Sequence, residues 1–97
     1  RHTMTNLTIG SIANYHGTSH PYLNGYTVRV ECVLKGANAP GFDPDVDEYD
    51  LIDDADDLAL AGGITSDDLV IVAPWIEKAE RFSFVTSDVD ADELTPA

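Results

Sequence analysis

Residues 26–35 read Tyr-Thr-Val-Arg-Val-Glu-Cys-Val-Leu-Lys, with Val28, Val30, Cys32 and Leu34 alternating against Arg29, Glu31, Val33 and Lys35. A period of two in a stretch rich in β-branched residues predicts a half-buried strand, with Cys32 on its apolar face. Upstream, Leu7, Ile9, Ile12 and Tyr15 mark a first strand over Leu7–Tyr15, with Gly10 interrupting the alternation as at a bulge. A Gly/Ser/His/Pro loop spans His16–Asn24, and Asn24-Gly25 is a tight-turn signal at the entry to the second strand. Leu69–Ala73 is a compact apolar run of buried-strand type that Pro74 should end or push to a sheet edge. Arg81–Thr86 sets Phe82 and Phe84 against Ser83 and reads as a further strand, and Ser87–Leu94 reads as a closing turn of helix. Two assignments fit the middle. Leu51, Ile52, Ala55, Leu58 and Ala59 form a helical stripe over Asp50–Ala61, with Asp50 at its cap and Gly62 at its end. The rival is a short strand over Glu48–Ile52 followed by a turn.

Four short strands and one helix in a chain of this length predict a mainly β (α+β) fold, a small barrel whose sharply curled strands bury one core. The chain resembles the SH3-like barrels, including those of the KOW type. Ile9-Gly10-Ser11-Ile12-Ala13 stands for their first strand, the polar loop to His20 follows it, and Leu23–Val28 makes the turn into the second strand. Phe82–Val85 and then Asp92-Glu93-Leu94 stand near the end. The resemblance implies a small barrel; the acidic insertion at residues 36–66, with one short helix, departs from the minimal pattern of those barrels. The ligand-groove aromatic motif of signalling SH3 domains is absent, so proline-peptide binding is not carried over. Arg1-His2-Thr3 read as a vector remnant, which places the native start at Met4 and a single domain over residues 4–97.

Charge changes this picture most. The 97 residues carry 18 acids and 5 Lys+Arg, a net charge of −13. Residues 1–42 hold a single acid, Glu31, whereas residues 43–97 hold 17 acids against Lys78 and Arg81, and no base stands between Lys35 and Lys78. This balance opposes direct binding to a phosphate backbone. A membrane span needs about 18 consecutive apolar residues, which the chain lacks, and no basic-then-apolar leader is visible. One cysteine makes no internal disulfide; the expected location is the reducing cytoplasm.

Candidate chemistry is thin. Asp43-Pro44-Asp45-Val46-Asp47-Glu48 resembles the first half of a calcium loop. The sixth position is Glu48 instead of Gly, the second is the stiff Pro44, and the twelfth is Asp54 where a bidentate Glu is needed. The same pattern of acids recurs at Asp88–Glu93 and matches less well. His16, His20 and Cys32 include the right donor types for zinc, but Gly17 and Pro21 put the histidines in a loop, and structural zinc takes four ligands. Ser19-His20 adjacency does not place a base for a nucleophile, and no nucleophile elbow or phosphate-binding Gly-rich loop is present. No metal, cofactor or catalytic residue is therefore assigned, and the expectation is a protein that is not an enzyme.

What stands out is Asp43, Asp45, Asp47, Glu48, Asp50, Asp53, Asp54, Asp56 and Asp57, nine acids with no intervening base. A rigid protein with clustered carboxylates can fill a basic groove evolved for nucleic acid, since duplex DNA carries one negative charge per ~1.7 Å of axis. In acidity and small size the chain resembles the anti-CRISPR and anti-restriction proteins of phages and plasmids, which implies inhibition by blocking a nucleic-acid-binding surface. The expected partner is a protein with a basic surface, met by this acidic face. Trp75 is read either as a core or rim aromatic or as an exposed anchor, and Tyr15, Tyr22 and Tyr26 either pack or line a recognition face. The alternative function is an acidic accessory or structural domain of a phage, plasmid or high-salt host. Against it, general salt adaptation would acidify the first 42 residues too.

Overall fold

The computed structural model describes residues 7–97; the expectations about residues 1–3 and Met4 lie outside them. The chain folds into one mainly β unit, a seven-stranded antiparallel sheet that does not close, with one short α-helix among the described residues. Strand β2 (Thr27–Lys35) is its axis. On one side β1 (Ile12–Tyr15) pairs with the first half of β2 and β3 (Asp50–Ile52) with its last three residues. On the other side runs β4 (Leu69–Ile76), from Leu69 opposite Leu34 to Pro74 opposite Val28. Helix α1 (Ala55–Leu60) lies between β3 and β4 in sequence. Beyond β4 stand β5 (Arg81–Phe82) and β6 (Ser87–Asp90), and β7 (Leu94–Pro96) pairs with the outer edge of β1.

Strands β6 and β7 occupy opposite flanks of the sheet yet are joined by a single 3-10 turn, Ala91–Glu93. In a flat sheet Asp90 and Leu94 would stand on the order of 30 Å apart, given strand spacings of about 4.8 Å and a rise of about 3.3 Å per residue. Four residues reach at most about 14 Å. The sheet must therefore roll strongly, and its concave side holds the core. Val28, Val30, Val33, Val70, Val72 and Val89 are almost fully buried there, with Tyr15, Leu58, Ile64 and Leu94. Each such side chain contributes about 1.5–3 kcal/mol of transfer free energy.

Position 33 corrects the simple alternation. Val30 opposes Val72 and Cys32 opposes Ile71, so β2 spends one more residue than β4 at this point, a β-bulge. The extra residue reverses the parity of the strand beyond it. Val33 turns into the core, while Cys32 and Leu34, expected inside, turn to the outer face and stay half-buried. Arg29 and Glu31 form an ion pair and remain outside the core.

Other boundaries shift for equally local reasons. Only Ile12–Tyr15 of the expected first strand forms a regular ladder; just before it the Gly10 N–H donates to the Val30 carbonyl and the Val30 N–H to the Ser11 carbonyl, two residues against one, the expected bulge with Gly10 at φ +86°. Asn24-Gly25 does turn the chain. Asn24 at φ −58°, ψ 129° and Gly25 at φ +89°, closed by the Tyr26 N–H on the Leu23 carbonyl, make a type II turn at the end of a loop, not a two-residue hairpin. Pro74 lies inside β4 without ending it. It falls where the flanking partner of β4 changes from β6, ending at Ser87 opposite Val72, to β5, starting at Phe82 opposite Trp75. The expected strand over Arg81–Thr86 stops at Phe82, leaving Phe84 and Val85 87% and 76% exposed, and Ser87–Leu94 is a strand followed by a 3-10 turn. In the middle segment both readings hold in part: a strand over Asp50–Ile52, then a six-residue helix capped by Asp54 instead of Asp50.

Candidate functional site

The nine acids are carried on a segment whose two ends are clamped together. Asp68, 1% exposed, accepts hydrogen bonds from Lys35 Nζ (2.8 Å), Gly36 N–H (2.9 Å), Thr65 N–H (2.8 Å) and the Thr65 hydroxyl (3.3 Å). Lys35 Nζ also donates to the Gly63 carbonyl at 2.8 Å. The chain leaving β2 and the chain entering β4 are thus held by one buried ion pair, and removing one partner of such a pair costs about 3–5 kcal/mol. Between the clamped ends, Leu58 and Ile64 insert into the core.

Within that frame the acids make local structure before they meet anything else. Asp43 Oδ1 accepts from Asp45 N–H, Asp47 Oδ2 from Asp43 N–H, and the Asp43 carbonyl from Val46 and Asp47 N–H, a self-closed turn. Asp54 Oδ1 accepts from Asp56 and Asp57 N–H at 2.8 and 3.0 Å, the N-cap geometry, and Asp56 and Asp57 stand at the favourable end of the helix dipole. Asp50 lies opposite Lys35 in the ladder, but the lysine amine is spent on Asp68. All nine residues are exposed; they follow one another over 15 residues, from the Asp43–Asp47 turn through Asp50 on β3 to the start of α1. Of the helical stripe, Leu58 is buried and Ile52 packs half-buried against the core, whereas Leu51 is 60% exposed and Ala55 and Ala59 are exposed.

Trp75 is not part of this group. It lies next to Pro74, opposite the first half of β2, roughly 20 Å along the strand from the ladder pairs that carry β3. Its half-buried ring meets Phe82 edge-on at 5.0 Å, its indole N–H donates to Glu77 Oε2 at 2.7 Å, and the Arg29 guanidinium sits 4.5 Å from the Phe82 centroid. This is a rim aromatic held in place. It borders a cleft of about 460 Å³ with Gly25, Tyr26, Thr27, Ile76, Glu77 and Lys78, where β2 and β4 part beyond Val28 and Pro74. A second groove of about 280 Å³ adjoins it, lined by Tyr22, Tyr26, Pro74, Ile76 and Val85 among others. Tyr22 and Tyr26 are therefore surface residues, whereas Tyr15 is buried.

The histidines and the cysteine do not converge. His16 Nε2 meets the Thr95 hydroxyl, His20 Nε2 donates to the Asp88 carbonyl at 2.6 Å, and Cys32 stands on the outer sheet face. Among the described residues no three His, Cys, Asp or Glu side chains are placed to hold a metal ion, the calcium-like run included. No helix among them is long and apolar enough to cross a membrane.

The most constrained carboxylate is one the composition hides. Glu93 Oε2 accepts from the Tyr15 hydroxyl (3.0 Å), Thr18 N–H (2.9 Å) and Ser19 N–H (3.0 Å), and Oε1 from the Ser19 hydroxyl (2.8 Å) and Asp90 N–H (3.1 Å). Burial alone would raise its pKa, but the donations from Ser19, Asp90 and Tyr15 prevail and hold it down to about 2. Any side chain at Gly17 would collide with this carboxylate. Glu93 thereby fixes the loop from His16 to His20. The one sequence signal for it was the Asp90-x-x-Glu93 spacing of a capping box, and Asp68 had none beyond its place after Thr65 in a turn.

Compared with known proteins, the chain matches no protein-family model, no curated protein and no solved structure.

Proposed function

We propose that this chain is a non-enzymatic, acidic protein-interaction module built on an SH3-like barrel, and that it occupies the basic nucleic-acid groove of a partner protein. The barrel reading is supported by the neighbour order β6, β4, β2, β1, β7 and by the lone 3-10 turn that carries the chain from one flank to the other. The functional reading rests on one observation: nine carboxylates within residues 43–57 are all exposed, with no base among them, on a segment pinned by the Lys35–Asp68 pair. A pinned array presents its charge without the ordering cost of a free acidic tail.

The test follows from which acids serve the fold. Asn caps a helix about as well as Asp, so changing Asp53, Asp54, Asp56 and Asp57 together to Asn removes four charges and leaves α1 capped. Binding to a basic partner protein captured from the native host should fall about tenfold or more, chiefly through slower association, and should weaken steeply with salt. Nucleic acid should compete with the parent chain, and Glu80→Gln should change nothing. If the fourfold variant binds as well as the parent and the partner still takes up nucleic acid in the complex, the acidic run is only a solvated face.

A further inference from the structure

The bulge at Glu31–Cys32 has a consequence on the side of the sheet away from the core. Directly opposed residues of antiparallel strands share a face. The row Ile52, Val33, Val70, Val89 faces inward, with its three valines almost fully buried. The neighbouring row Leu51, Leu34, Leu69, Asp90 therefore faces outward, as does the row Cys32, Ile71, Asp88. Leu34, Leu69, Cys32 and Ile71 are half-buried, and Leu51 is 60% exposed. Helix α1 sends Leu58 into the core, on the opposite side of the sheet from this strip. Three strands at about 4.8 Å spacing make it roughly 10 Å wide, close to the diameter of an α-helix.

Its border is acidic. Asp88 and Asp90 end the two rows on the β6 side, and Asp53, two residues beyond Leu51, follows β3 on the other side, where the chain turns into α1. Glu31 lies beside Cys32 and is paired with Arg29, and the His20 Nε2 stands 3.8 Å from Asp88 Oδ1. The Cys32 thiol registers the field: burial, then Asp53, then Glu31 raise its pKa; for Asp90, burial, Glu93, Asp92 and Asp88 raise it against a hydrogen bond from Asn38 that lowers it.

We propose that this outer face is the docking surface for a cationic amphipathic helix of the partner, its apolar stripe on Leu51, Leu34, Leu69 and Ile71 and its Lys or Arg side chains on the acidic border. The assignment rests on the reading of the chain as an acidic interaction module and narrows it: charge steers, and the apolar strip selects. Charge complementarity identifies the occupant. A second copy of a chain at −13 would bring like charges onto both borders, and a purely polar groove would leave the leucines without a counterpart.

Cys32, in the middle of the strip, reports occupancy. The probes are a synthetic peptide of about 18 residues with Leu and Lys at helical spacing, a scrambled peptide of the same composition, and oligolysine of equal charge. Affinity is read by fluorescence anisotropy, and access to the strip by the rate at which N-ethylmaleimide alkylates Cys32. The amphipathic peptide should bind about tenfold more tightly than either control and slow alkylation about fivefold or more at saturation, and Leu51→Ser should weaken it about tenfold. Leu51 is mostly exposed, so this variant keeps the fold; unchanged circular dichroism verifies that. Equal binding of all three cationic probes without protection of Cys32 overturns the docking face and leaves the charge-driven reading standing. Binding of none of them counts against that reading itself. Protection of Cys32 by concentration alone, with a dimer in sedimentation, overturns the proposal in favour of a second copy.

Discussion

Glu93 illustrates how much one carboxylate does when five donors surround it. Its value of about 2 in the folded chain lies below the ordinary 4.5. The stabilisation it brings is therefore complete above about pH 4.5 and is lost as the pH falls through about 2. Glu93→Gln keeps the shape but replaces one accepting oxygen by an amide that cannot accept, leaving buried donors unpaired. The expected loss is about 2 kcal/mol or more near neutral pH, or roughly 10 °C in Tm for a domain of this size. Urea unfolding of parent and variant at about pH 6 and about pH 3 should show the gap narrowing at the lower pH; taking the difference cancels the general relief of repulsion as the other carboxylates protonate. A gap that does not depend on pH would mean that the carboxylate's charge is not what holds the His16–His20 loop.

The β2 strand is where a one-residue irregularity decides a surface. With a plain alternation Cys32 would be a core residue and Val33 a solvent residue; the bulge exchanges them. Val33→Asp should abolish folding, because an unpaired buried charge costs several kcal/mol against a total stability of about 5–15 kcal/mol. Cys32→Ser should cost less than about 1 kcal/mol. The native thiol should react with neutral reagents without denaturant, though more slowly than a free cysteine at the same pH, since burial, Asp53 and Glu31 all hold it protonated. Complete protection of the native thiol, or collapse of the Cys32→Ser protein in thermal denaturation, would restore the unbulged register.

For the molecule as a whole, charge is segregated along β2. The acidic segment hangs from its last residues, while around its beginning and the end of β4 the bases Arg29, Lys78 and Arg81 are balanced by Glu31, Glu77 and Glu80 beside the Trp75–Phe82 pair. The acidic end repels itself, and like charges at helical spacing cost tenths of a kcal/mol per pair. Salt should raise Tm by screening over about 10 Å at 0.1 M. Calcium and magnesium at equal ionic strength should act alike, because Asp43 and Asp47 are turned onto their own backbone N–H groups. A calcium-selective rise of many degrees would show that the Asp43–Asp54 loop binds the ion.

Period and charge along the chain were enough to predict the mainly β class, β2 and the first part of β4, the turn at Asn24-Gly25 and the unbroken acidic run, because these are properties of neighbours in sequence. The strand–helix ambiguity at Asp50–Ala61 was real in the same local terms: three residues suit a ladder, six suit a capped turn of helix, and the pairing with β2 divides them. The bulge that turns Cys32 and Leu34 outward depends on β4 offering one residue against two, which β2 cannot express alone. The roles of Asp68 and Glu93 depend on distant donors, Lys35 and Gly36 for the first and Tyr15, Thr18 and Ser19 for the second, 32–78 positions away in the chain. In composition they are two acids among 18; only tertiary structure separates them from the nine that face solvent, because a carboxylate becomes part of the core when the fold surrounds it with donors that have no other acceptor.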